Sequence, residues 1–314
     1  MLRRRGIARA ALVVVGALAL VTLLPSAAWA WTPGTHVFLG EAILRALEGL
    51  PEAIAGLLRA FPYDFLYGSI AADTSVAKKY VPTGRHCHAW NVGEEILDRA
   101  GADDPLRAFA LGYLAHLAAD TIAHNYFVPH QLAITSSTSG FGHSYWESRI
   151  DTHIGERWPR RAREVIQIDH TRSDEHLDRI LSPTIFSTST NRRIFRGMVY
   201  VTDTESWQRF YRLVQENSRW DLPDAAVARQ MERAYDFVFD YLSRGDASEP
   251  YRLDPSGDEA LRIAKQIRRA ALRRGGADVV RDEAEQRFGL PAPSLDHSTR
   301  LPGALYPETR DASS

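Results

Sequence analysis

Apolar residues recur at intervals of three and four along most of the chain. In residues 36–50 they fall at Val37, Ala42, Ile43, Leu44 and Leu47, one face of a helix, and Pro51 marks the next start. The same period predicts helices over about 51–60, 64–72, 89–100, 105–128, 143–166, 192–217, 223–244 and 257–287. No run alternates apolar and polar positions as a half-buried strand does. Clusters of Ser, Thr, Gly, Asn and Asp make 136–140, 182–191 and 248–257 loops, and 291–314 reads as a loose tail rich in Pro, Ser and charge. An all-α fold follows, without internal repeats.

The first thirty residues are set apart from that pattern. Arg3, Arg4 and Arg5 precede an apolar run over 10–24, Pro25 breaks it, and Ala28-Trp29-Ala30 has the small-x-small form of a signal-peptidase site. The run is short of the roughly 20 residues of a membrane span. Residues 1–30 are therefore expected to be a signal peptide, with a helical domain over 31–290 and a secreted or periplasmic product beginning at Trp31. Losing Arg3, Arg4, Arg5 and Arg9 leaves 34 basic against 39 acidic residues, a formal charge of −5. That balance argues against a polyphosphate-gripping surface, and no nucleic-acid partner is expected. With Cys87 the only cysteine, no internal disulfide is available, so stability falls to the core and to bound metal.

The candidate chemistry lies in the first half of this product. His116, Asp120 and His124 follow one another at intervals of four in LGYLAHLAADTIAH, on one stripe of an otherwise apolar helix. Buried imidazole and carboxylate must be satisfied, by each other or by a cation that serves both. His143 and Glu147 repeat the four-residue spacing in GHSYWESRID, and His86 and His88 flank Cys87 in RHCHAW. Asp73 closes the apolar segment GSIAAD. Seven of the eleven histidines fall in these segments once His36 and His130 are counted, enough nitrogen and oxygen for several zinc ions. Cys87 reads as a buried bystander thiol.

Taken in order, WTPGTH, GSIAAD, RHCHAW, HLAADTIAH and GHSYWE resemble the zinc-dependent phospholipase C family. The resemblance spans roughly residues 31–151. It implies a multi-helix phospholipase C/nuclease-like domain around a three-zinc cluster, acting as a monomer on phospholipid at a membrane surface. By that resemblance, the α-amine and carbonyl of Trp31 bind one zinc beside His36. Asp120 bridges it to a second held by His116 and by His86 or His88, with His86 favoured. The third takes His124, His143 and Glu147. Asp73 is a ligand of the bridged pair or the base that orients a water. An α-amine titrates near pH 8, so few protons compete for it, and signal cleavage creates it from an amide.

One spacing departs from many secreted members, which place the last helix histidine six residues after the aspartate; here that position is Tyr126. His124, at four, instead resembles the catalytic domain of GPI-specific phospholipase D and its bacterial relatives, and His130 stands in reserve. The expected reaction is in-line attack of metal-activated water on a phosphodiester, releasing diacylglycerol and a phosphorylated head group. Aromatic residues near the ligands (Tyr67, Trp90, Tyr126 and Trp146 among them) read chiefly as core, and the basic run 265–274 as the wet face of an amphipathic helix. The rivals are a zinc-dependent single-strand nuclease, a phospholipase D-type cut, and a non-catalytic binding protein stabilised by zinc.

Overall fold

The longest apolar pattern becomes the axis of the molecule. In a computed structural model, described over residues 31–75, 81, 84–135, 139–301 and 305, it forms a helix that is buried on every side from Ala108 to Ile122. A helix that is apolar all round cannot face water and must be wrapped by others. In chain order the long helices are α1 (Pro33–Leu44), α2 (Glu52–Ala60), α3 (Pro62–Ala71), α4 (Trp90–Ala100) and the central α5 (Asp104–Ile122). Then come α6 (Val128–Thr135), α7 (Ser139–Ile154), α8 (Arg157–Gln167), α9 (Thr171–Asp178), α10 (Thr188–Thr202) and α11 (Glu205–Glu216). The chain continues with α12 (Asp224–Arg244), α13 (Asp258–Arg274), α14 (Ala277–Phe288) and the short α15 (His297–Arg300). Among the described residues there is no strand, and no helix is long and apolar enough to cross a membrane.

Helices α3, α4 and α12 pack around α5, while α1 lies between α3 and α8. The crossing of α3 and α5 is the closest. A Cβ on Gly68 would lie 2.0 Å from the carbonyl oxygen of Phe109, and one on Gly112 would lie 2.0 Å from that of Phe65. Only two glycines let these backbones touch, and the contact sets the depth at which α5 carries its polar stripe. A smaller core of Ala133, Ala260, Ala264, Ala284 and Phe288 joins α6, α13 and α14.

Several expected helices are divided. The segment 143–166 becomes α7 and α8, broken at Gly155 with φ +108°. The segment 192–217 is cut at Thr204, whose hydroxyl accepts from the Trp207 N–H and starts α11 as an N-cap. Gly275 and Gly276 split 257–287 into α13 and α14. Periodicity runs through such breaks because the apolar face resumes after each one. The loop expected over 182–191 gives up its end to α10, which Ser187 caps, and α9 was not anticipated. Part of the expected loose tail is folded: α15 stacks His297 on Phe239, the Ser298 N–H donates to Asp236, and Leu305 is buried. The basic run 265–274 lies on α13, whose buried face is made of Ala260, Ala264 and Ala271. Residues 1–30, with the expected signal peptide, and 136–138 of the expected loop lie outside the described residues.

Candidate metal centre

The polar stripe of α5 opens onto a buried group of side chains. Asp120 is fully buried, and three imidazoles face its carboxylate. Oδ1 lies 3.3 Å from His36 Nε2; Oδ2 lies 3.0 Å from His88 Nε2 and 3.1 Å from His116 Nε2. The Nε2 atoms of His88 and His116 are themselves 3.1 Å apart. His36 comes from α1 and stacks on His116 with ring centroids 3.9 Å apart. Asp73, in the 3-10 turn Ala72–Thr74 that ends α3, brings Oδ1 to 3.4 Å from His88 Nε2.

A second group forms beside it. Beyond Ile122 the central helix widens into the π turn Ala123–Phe127 before continuing as α6. Four α-helical residues already advance about 40° past a full turn, and the wider π turn changes the register again, so His124 leaves the stripe of His116 and Asp120. It meets α7 rather than Asp120. There His143 Nε2 and Glu147 Oε1 sit 2.6 Å apart, and the His124 and His143 rings are 5.3 Å apart. The two groups adjoin, with His88 and His124 ring centroids 6.2 Å apart.

The donor set fits zinc, by a test of ring orientation. His116 Nδ1 lies 2.9 Å from the carbonyl oxygen of Ser69, one of the last-turn carbonyls that a helix leaves without an internal partner. His124 Nδ1 lies 2.5 Å from the carbonyl oxygen of Pro255. A carbonyl only accepts, so each Nδ1 carries the proton and each Nε2 presents a lone pair inward, the tautomer a metal-binding imidazole needs. His36 Nε2 and both Asp120 oxygens are buried without a well-formed hydrogen bond, at distances where one cation would serve them together. Burial and the neighbouring His116 hold His36 below its ordinary value, which favours the neutral, ligating ring. Burial pushes Asp120 upward, yet His116, His36 and His88 outweigh it and hold the carboxyl well below the usual range.

Of the sequence candidates, His36, Asp73, His88, His116 and Asp120 come together, as do His124, His143 and Glu147. His86 and His88, both offered by the sequence with His86 favoured, take different places, and His86 forms a separate candidate group with Cys87 and His88. His88 Nε2 points into the cluster, whereas half-buried His86 accepts the His88 N–H at Nδ1. Cys87 is buried outside the group, its Sγ 3.3 Å from His88 Nδ1. His130 is turned away and pairs with Glu285 at 3.1 Å. The ring of Trp31 is buried, with its centroid 6.2 Å from that of His36.

Sequence reasoning missed the residues that brace this centre. Asp151 receives the hydroxyls of Thr32 and Thr35, tying the segment around Trp31 and His36 to the helix that carries His143 and Glu147. It lies four residues past Glu147, which was a legible signal. Pro255 was not legible, since nothing local marks a carbonyl 131 positions away from its histidine.

The comparisons agree with this geometry. The family model described as zinc dependent phospholipase C matches residues 35–190, which contain every candidate ligand except Trp31. No curated protein and no solved structure matches the chain. A segment that folds two adjoining groups of inward-facing imidazoles around buried carboxylates, and that matches this family over every candidate ligand but Trp31, places the chain: it belongs to the zinc-dependent phospholipase C family and is a zinc-dependent hydrolase of phospholipids.

Proposed function

We propose that the enzyme makes the C-type cut in glycerophospholipids, releasing diacylglycerol and a phosphorylated head group, with three zinc ions held in the two adjoining groups. The reading is carried by Asp120, whose two buried oxygens face different imidazole partners, His36 on one side and His88 with His116 on the other. A carboxylate so placed suits a bridge between two cations. His36, with the amine and carbonyl of Trp31, would hold one ion; His88, His116 and Asp73 the next; His124, His143 and Glu147 the third. Bound zinc supplies Lewis acidity that eases deprotonation of water and offsets charge building on the phosphoryl oxygens. Asp73, buried at the edge of the first group, takes the proton of the attacking water at a carboxylate oxygen. The Ser69 and Pro255 carbonyls keep the His116 and His124 rings from turning as charge develops.

Completion of the first group waits on maturation, because the nitrogen of Trp31 is an amide until residues 1–30 are removed. The reading therefore includes export, with a secreted or periplasmic enzyme beginning at Trp31. The phospholipase D-type cut is the second reading, favoured by His124 standing four residues after Asp120 rather than six. Mass spectrometry of products from mixed phospholipid vesicles, given zinc-loaded protein beginning at Trp31, separates the two. Diacylglycerol with phosphorylated head groups supports the C-type cut, and phosphatidic acid with free head groups the D-type. Neither product, with zinc confirmed in the protein, would overturn both.

A further inference from the structure

A second concentration of charge lies on the other side of α7. Arg149 is 3 % exposed. Among the described residues its Nε and Nη1 are buried with no hydrogen-bond partner, and no carboxylate pairs with it. A guanidinium does not give up its proton, so it cannot escape burial by neutralising as lysine or histidine can. An unpaired buried charge costs several kcal/mol, and a fold that retains one calls for an anion from outside.

Arg149 opens into a cleft of about 510 Å³ between α7 and the link from α11 to α12, lined also by His153, Arg212, Arg219, Glu216 and Asp221. Three arginines line it beside two carboxylates, and among the described residues neither Glu216 nor Asp221 forms an ion pair with any of the three. Arg212 is engaged by Glu156 outside the cleft, and His153 turns Nδ1 to Asp224 at 2.6 Å while its Nε2 is buried without a partner. Arg219 lies over the Trp220 ring at 4.7 Å and makes no ion pair with a described residue. A bond of 2.7 Å between Tyr145 and Ser218 anchors the link against α7. Arg149 is two positions past Glu147, about 200° around the helix, so this cleft and the metal centre occupy opposite faces of α7. The residues of the link also lie beyond the segment matched to the family.

We propose that this cleft is a phosphate-binding site separate from the metal centre, with Arg149 as its buried anchor and Arg219 and Arg212 at its rim. The ligand is a phosphate group, from an anionic lipid head group or from a soluble phosphate ester. Arginine's planar fork matches phosphate oxygens in pairs. Glu216 and Asp221 at the mouth repel a free anion unless two or more arginines engage it at once, which selects for compact, highly charged groups.

The test is calorimetric titration of the zinc-loaded protein with inorganic phosphate, beside co-sedimentation with phosphatidylcholine vesicles containing or lacking phosphatidylglycerol. Zinc also takes phosphate, so the cleft is read as the component lost in variants whose zinc content is unchanged. Arg149→Gln removes a charged partner worth roughly 1.5–3 kcal/mol, so that component should weaken about ten- to hundredfold. Should Arg149→Gln fail to fold, the double variant Arg212→Gln/Arg219→Gln decides the matter, because both side chains are exposed. Loss of phosphate binding together with loss of the preference for anionic vesicles supports a lipid ligand. Loss of phosphate binding alone supports a soluble one. Phosphate and vesicle binding identical to wild type in the variants that fold would overturn the proposal.

Discussion

Gly257 sits where the C-terminal half of the chain reaches the candidate metal centre, and replacing it with alanine should damage the group of His124, His143 and Glu147 more than the rest of the protein. Two effects combine. The residue has φ +60° and ψ +18°, a left-handed conformation that costs an L side chain about 1–2 kcal/mol. A Cβ there would also stand 2.4 Å from the Cβ of His124 and 2.5 Å from its carbonyl oxygen. Ordinary contact begins near 3.5 Å, so the loop and the π turn must part by about 1 Å, adding roughly 1–3 kcal/mol. The His124–Pro255 bond runs across that same gap. Gly257→Ala is thus expected to lose about 2–5 kcal/mol in denaturant unfolding. Without its outer brace, His124 should also hold zinc about ten- to hundredfold more weakly. Gly245→Ala is the control for zinc affinity: with φ +58° and ψ −127° it strains the backbone in a region that an L side chain avoids more strongly than Gly257's, but nothing lies within 4 Å of its Cβ, so it should lose stability with zinc affinity intact. Chelator competition on both variants, beside unfolding curves, gives the two numbers. If Gly257→Ala binds zinc as tightly as Gly245→Ala, the contact between the 254–257 loop and His124 is not what holds that ligand.

Gly112→Ala should push α5 away from α3, since its Cβ would meet the Phe65 carbonyl oxygen at 2.0 Å; we expect at least about 3 kcal/mol of destabilisation, and an unfolding midpoint near wild type would contradict the packing. Asp120→Asn should lower zinc affinity by at least about a hundredfold in the group it shares with His36, His88 and His116, while the His124, His143 and Glu147 group keeps its ion. Metal analysis after dialysis reads the difference, and full zinc occupancy would remove Asp120 from the centre. Asp151 is pushed up to about 6 because burial outweighs the Thr32 and Thr35 donors. The native protein therefore keeps a proton that the unfolded chain, titrating near 3.8, releases. Stability should fall as pH rises between these values, and Asp151→Asn should flatten that fall in urea midpoints measured across the window. Parallel curves for wild type and variant would show that Asp151 is charged in the fold.

Features that depend on neighbours within a turn or two were legible before any coordinates. Helical period gave the all-α class, and four-residue spacing placed His116 with Asp120, and His143 with Glu147, on common faces, because a helix repeats every 3.6 residues whatever surrounds it. The order of the ligand segments identified the family for the same reason. Where helices break was less legible, since apolar faces resume across Gly155, Thr204 and Gly275. Packing of distant segments turns His88 Nε2 toward Asp120, orients the histidine rings through Ser69 and Pro255, and ties Thr32 and Thr35 to α7 through Asp151. Those contacts join positions 28 to 131 residues apart, and no local preference records them. Arg149 is the clearest case: on the sequence it is one more charge on a helix, and only the burial imposed by packing leaves its Nε and Nη1 without a hydrogen-bond partner among the described residues.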